Sequence, residues 1–283
     1  MKSFVRLLFL LLLTGSFTRS NAFPPAPYYT LYGMIRDQVG QTISSDGSVL
    51  LLLKGGVEIA RTVVTKTQID QNYELAVRID QNRSGTVIYS DKAVAAQGAF
   101  SVVVLLNGVQ YLPIEASGSL TAGKGGERIR LDLNLGEDAN KDGLPDIWQE
   151  WQLYGAGYSP DANGNWPLNL ITKNGSFFKN GLTNWQNYIA GTFSGDPQRF
   201  GLDIKQKTDA SVSFQFYAIT GKTYTIERSA DMKTWAATAF SVTSALGAGN
   251  AGVNSYTASD VGIMPAYAIP VPGKREFYRL TVR

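Results

Sequence analysis

The sequence predicts a mainly β protein, with two β-sandwich-like domains joined by a segment of loops and short helices. Three observations lead there. Strict apolar-polar alternation runs through both ends of the chain, each stretch punctuated by turn residues. A middle stretch, poor in β-branched residues and rich in Asn, Asp and Gly, interrupts them, and within it side-chain oxygens recur at every second position.

Residues 1–22, MKSFVRLLFLLLLTGSFTRSNA, place Lys2 and Arg6 ahead of an apolar run from Leu7 to Leu13 and end on the small residues Ser20 and Ala22. This reads as a secretory signal peptide cut before Phe23, because the run is too short to span a bilayer. The expected destination is outside the cytoplasm: periplasm, cell surface or medium. Losing Lys2, Arg6 and Arg19 brings the chain's 26 Lys and Arg down by three, level with its 23 Asp and Glu. A neutral mature chain gives no reason to expect nucleic acid as a partner, and no later stretch is apolar enough to be a transmembrane segment. The chain has no Cys and no His. Disulfide staples, imidazole acid-base catalysis and nearly all zinc sites are excluded with them.

Residues 23–135 form the first expected β-sandwich domain. Tyr73, Leu75, Val77 and Ile79 alternate with polar neighbours, as do Ile129, Leu131, Leu133 and Leu135 in RIRLDLNL. Gly55-Gly56 and Asn107-Gly108 sit between strand-like runs, where tight hairpins need positive φ angles. Residues 136–197 hold two segments, DIWQEWQLYG and LTNWQNYIAG, with apolar residues at three- and four-residue spacing, which predicts short helices. Residues 198–283 return to strands, with Val212, Phe214 and Phe216 alternating and WAATAFSV as a further strand, and make the carboxy-terminal β domain.

The junction carries EDANKDGLPDIWQEW. Calcium takes six to eight oxygens, so a loop that wraps it needs oxygen donors at alternate positions and a glycine at the sharp turn. Asp138, Asn140 and Asp142 fill the first, third and fifth places, Gly143 the sixth and Asp146 the ninth; Leu144 offers its carbonyl from the seventh. The twelfth place, where a bidentate glutamate is expected, holds Gln149, with Glu150 one residue later. Either Gln149 is a weak ligand or Glu150 reaches back. The competing reading is a plain turn between strand and helix, since Asp, Asn and Gly are good turn formers. Calcium is the expected cofactor.

A weaker second site starts as DANGNW, where Asp161, Asn163 and Asn165 copy the first loop but Trp166 replaces its glycine. The matching end lies in KNGLTNWQNY, with Asn180, Gly181, Leu182, Asn184 and Asn187 at the fifth, sixth, seventh, ninth and twelfth places, as though an insertion had split one loop.

Four stretches, DANKDGLPDIWQEW, NGLTNWQNYIAGTFSGDP, GKTYTIERSADMKTW and EFYRLTV, in that order, resemble exported proteins of Verrucomicrobia- and Planctomycetes-type bacteria that carry thrombospondin type 3-like calcium repeats. The resemblance is good over 136–283 and loose over 28–135. It implies Asp138, Asn140, Asp142, Leu144 and Asp146 as ligands, a carboxy-terminal β domain, and calcium-stabilised architecture outside the cell. It implies no reaction.

The expected function is therefore non-catalytic, structural or adhesive, with an unknown protein or polysaccharide surface as partner. The alternatives are a carbohydrate-binding protein, a carboxylate-based glycoside hydrolase and a dockerin-like module. For sugar contact Trp166 is the best candidate ring, ahead of Trp185, Tyr154, Tyr158 and Trp235; Trp148, Trp151 and Trp185, at helical spacing, are expected to pack in a core.

Overall fold

Alternation translates directly into a sandwich. Along Tyr73–Asp80 the side chains of Tyr73, Leu75, Val77 and Ile79 are buried while Glu74, Ala76 and Arg78 face out. In the computed structural model, which describes residues 26–44, 47–65, 68, 70–81, 90–193, 200–243 and 252–283, this strand lies in a sheet of order Arg128–Arg130, Tyr29–Gly33, Tyr73–Asp80, Ala93–Ala95. Residues 1–22, expected from the sequence to be a signal peptide, lie outside the described residues. A second sheet runs Val57–Val63, Val49–Lys54, Ala99–Leu106, Val109–Tyr111, with Leu120–Thr121 also paired to Ala99–Leu106. Leu31, Leu75 and Val77 of the first sheet share one core with Leu50, Leu52, Val102 and Val104 of the second. Both expected hairpins form, with φ of 57° and 81° at Gly55-Gly56 and 51° and 82° at Asn107-Gly108.

The strand expected over RIRLDLNL is broken. Arg128–Arg130 pairs with Tyr29–Gly33, and after a kink at Leu131 and Asp132 the chain pairs again as Leu133–Asn134 with Ile35–Arg36. Asp132 makes the kink by accepting the Met34 N–H at 3.1 Å and facing Arg36 at 3.3 Å. Leu133 and Leu135 stay buried, but Ile129 ends up exposed.

The carboxy-terminal region repeats the two-sheet plan. One sheet runs Asp203–Lys207, Val212–Ala218, Gly262–Ala268, Phe240–Ser241; the other is built on Thr223–Ser229, flanked by Ala236–Ala237, Tyr256–Thr257 and Phe277–Val282. Phe214, Phe216, Tyr224, Ile226 and Phe240 form its core. WAATAFSV supplies two short strands to different sheets in place of the single strand expected.

Between them lie helices α1 (Asp146–Gly155) and α2 (Asn184–Ala190) and a third, aromatic core. Trp148 is fully buried, edge-on to Phe178 at 6.2 Å and Tyr188 at 5.7 Å. Trp185 packs on Tyr188 as expected, whereas Trp151, on the outward side of α1, is 49 % exposed. A Thr183/Gln186 capping box starts α2, and Gly191 ends it in a left-handed conformation. The turn at 37–41 is gripped from two sides: Tyr188 Oη donates to the Asp37 carbonyl at 2.8 Å, and Lys222 Nζ donates to the Gly40 carbonyl at 2.5 Å. No helix among the described residues is long and apolar enough to cross a membrane.

Candidate metal centre

The first loop folds around its own N–H groups. Asp138 accepts the N–H of Asp142 at 3.1 Å and of Gly143 at 2.9 Å through its two oxygens, and Asn140 Oδ1 accepts the same Asp142 N–H at 3.1 Å. Asp142 Oδ1 accepts the Leu144 N–H at 2.8 Å; Asp146 Oδ2 reaches back to the Ala139 N–H at 2.9 Å. Lys141 and Gly143 turn the chain with φ of 57° and 85°. These bonds bring Asp138, Asn140, Asp142 and Asp146 to one loop, as the spacing predicts.

Gln149, fully buried on α1, closes the loop by donating from Nε2 to Asp142 Oδ2 at 2.7 Å and to the Ile171 carbonyl at 2.6 Å. Two oxygens are left over: Gln149 Oε1 and Asp146 Oδ1 are both buried with no hydrogen-bond partner. An orphaned buried acceptor costs about 1–3 kcal/mol. Burial pushes the Asp142 carboxyl up from its ordinary value, and the Asp138 charge adds to this. Asp146 is raised likewise by burial, then by the charges of Asp138, Asp142 and Glu137. A cation at the loop would relieve both.

The donors are mixed. Among the described residues no three acidic side chains are gathered tightly enough to hold a metal by themselves, so amide and carbonyl oxygens would have to complete a set. Lys141 and Lys173 line the basin over the loop together with Asp138 and Asp142. Glu150 does not line that basin; it opens into a neighbouring groove that shares Glu137 with it, which leaves Gln149 as the twelfth-place residue facing Asp142. Glu150 too is raised, by burial and then by Asp146 and Glu137.

The second loop begins at residue 176, and the split register is corrected by the hydrogen bonds. Asn184 Oδ1 accepts the Phe177 N–H at 2.9 Å, the same ninth-to-second bond that Asp146 makes to Ala139. Asn180 Oδ1 accepts the Leu182 N–H at 3.1 Å, as Asp142 does that of Leu144, and Asn180 Nδ2 donates to Asn187 at 2.8 Å where Asp142 receives Gln149. Lys179 and Gly181 repeat the left-handed pair with φ of 51° and 86°. The first and third places therefore belong to Ser176 and Phe178. Asp161, Asn163 and Asn165 instead close an exposed turn of their own, in which Asp161 Oδ1 accepts both Asn163 and Asn165 N–H groups at 2.8 Å and those bonds hold its carboxyl below the usual value.

Trp166 is half-buried against the aromatic core and is no free ring. Trp235 is half-buried under the Arg279 guanidinium, while Tyr154 and Tyr158 are exposed. Sequence reasoning missed Ser176 and Phe178, although the shared run Lys141-Asp142-Gly143-Leu144 and Lys179-Asn180-Gly181-Leu182 carries the register. It also missed Lys222, whose carbonyl partner, Gly40, lies 182 residues away in the chain. Comparison with protein-family models, with curated proteins and with solved structures finds no match for this chain.

Proposed function

We propose that this is an exported, non-catalytic protein, structural or adhesive in role, in which one calcium ion held by the 138–149 loop stiffens the junction between two β domains. The observation that carries it is the pair of buried, partnerless oxygens, Asp146 Oδ1 and Gln149 Oε1, on a loop whose carboxylates are crowded and raised. Asp138, Asn140, Asp142, Asp146 and Gln149, with the Leu144 carbonyl, would supply oxygen ligands, which suits a hard cation and not a thiophilic one. Mechanically the loop joins the strand Leu133–Asn134 to α1, so a rigid loop fixes α1, and with it the aromatic core, against the first sandwich. The second loop is read as metal-free, because Ser176 Oγ already donates to the Leu182 carbonyl at 2.8 Å, across the space between the first and seventh places.

Calorimetric titration with calcium, with melting curves in calcium and in chelator, tests this. A single saturable site and a higher melting temperature in calcium are expected. No heat at millimolar calcium and superimposable melting curves overturn the reading and leave the loop a turn.

A further inference from the structure

A broad groove runs beside the metal loop, sharing Glu137 with the basin over it and reaching Asp146 at its edge. It encloses about 830 Å³ between the 106–112 hairpin of the first sandwich and α1. Tyr111 stands on one wall, 42 % exposed, and Trp151 on the other, 49 % exposed. Gln38, Gln110, Glu137 and Glu150 line the floor and rims. None of these four side chains has a hydrogen-bond or ion-pair partner among the described residues, although nearly every other carboxylate at the junction does. No Lys or Arg lines the groove.

We infer that this groove binds a neutral polysaccharide chain, with Tyr111 and Trp151 receiving the C–H faces of sugar rings and the two glutamates and two glutamines hydrogen-bonding hydroxyl groups. Hydroxyls both donate and accept, which matches carboxylates that only accept and amides that do both. Aromatic rings give broad apolar contact at low entropic cost, and a polar edge around them fixes orientation. Charge narrows the class: Asp37, Glu137, Asp146 and Glu150 all line the groove and no Lys or Arg does, which disfavours uronic or sulfated chains and nucleic acid. A basic peptide would satisfy the glutamates, but a calcium ion in the adjoining loop places positive charge at the Glu137 end and disfavours it; only this last step rests on the metal reading.

The test is affinity electrophoresis of the calcium-equilibrated protein in gels containing a soluble glucan, xylan or galactomannan, beside a polygalacturonate gel and a titration with a fluorescent oligolysine peptide. Retardation in at least one neutral gel is expected, weakened about tenfold in Trp151→Ala and in Tyr111→Ala, which corresponds to removal of one stacked ring. Melting curves check that both exposed-site variants stay folded, and two walls give two independent chances to test the groove. Absence of retardation in all three neutral gels, retardation unaltered in both variants, or binding to polygalacturonate or to oligolysine in their place overturns the proposal. Because the rings lie outside the loop, a protein that fails to bind calcium can still pass this test, and one that binds calcium can fail it.

Discussion

Residues 138–149 and 176–187 fold the same twelve-residue loop into the start of a helix, and they hold it in opposite ways. Both put a lysine and a glycine in left-handed conformation at the fourth and sixth places, and both tie the ninth side chain to the second N–H. The first loop does so with three carboxylates and leaves two buried oxygens without partners. The second has no carboxylate, and its amides satisfy one another: Asn180 with Asn187, Asn184 Nδ2 with the Thr172 carbonyl at 2.7 Å, and Thr192 Oγ1 with Asn187 at 2.5 Å. The loop geometry therefore belongs to the backbone and its glycine; the side chains decide whether charge and a cation, or neutral hydrogen bonds, close it.

The second unit also has an external brace that the first lacks. Its Tyr188 bonds the 37–41 turn, and Gly191 lies so close to Lys222 that a Cβ there would meet Cε at 3.1 Å. Lys222 is fully buried, and burial first, then the Arg36 charge, bring its pKa from 10.5 down to about 7, with Asp37 opposing. The unfolded chain thus keeps this proton up to about pH 10.5 while the folded one releases it near 7. Between those limits the unfolded state holds more protons, so stability rises with pH, by about 5 kcal/mol over the full window. Chemical unfolding from pH 7 to 9.5 should show a steep rise that Lys222→Met flattens. The window stops short of tyrosine ionisation, since Tyr73, Tyr188, Tyr224 and Tyr278 are all raised by burial and lose stability as the unfolded phenols ionise above pH 10. The calcium affinity of the first loop should not change in the variant. If it does, the two units are not independently held and the contrast between them fails.

The next effect separates the loops by metal. At a hundredfold excess over Kd, calcium adds about 2.7 kcal/mol, and for a protein of this size about 5–10 °C in melting temperature. Asp142→Ala should abolish that increment, and in chelator it should lose only what its bonds from Leu144 N–H and Gln149 Nε2 contribute. Asn180→Ala, at the same place in the second loop, should lower the melting temperature equally in calcium and chelator, because it breaks the bonds to Leu182 and Asn187 and touches no ion. An Asn180→Ala protein with a reduced calcium increment would show that the second loop carries metal too.

How much of this was legible in the sequence follows from the range of each interaction. Alternation placed Tyr73 to Ile79 and Val212 to Phe216 inside correctly, and glycine and asparagine chemistry placed both hairpins, since these depend on neighbours in the chain. The geometry of the first loop was legible because the spacing of its Asp and Asn side chains is local. The second was half legible: Asn180 to Asn187 stand at the expected places, but Asp161 and Asn163 imitate a loop start, whereas the start that the hydrogen bonds give, Ser176, has no carboxylate or amide to mark it. Trp151 broke the helical-core expectation because α1 has an open face on the groove, and nothing local marked Lys222, because its partner, Gly40, lies 182 residues away.

The smallest predicted effect tests what the loops share. Gly143 and Gly181 have φ of 85° and 86°, a region that costs a residue with a Cβ about 1–2 kcal/mol. At Gly181 the added Cβ would meet nothing within 4 Å, so Gly181→Ala should cost the backbone term alone, read as a uniform shift in urea midpoint with unchanged slope. At Gly143 the Cβ would meet Lys173 Nζ at 3.0 Å, the far end of a flexible side chain that can withdraw. Without calcium the two alanine variants should therefore lose the same stability. With calcium, Gly143→Ala should lose more, because the strained turn carries the Asp142 and Leu144 oxygens that the ion needs, while Gly181→Ala should lose no more than before. Equal losses in both conditions would mean that the left-handed glycine serves the turn in each loop and the ion in neither.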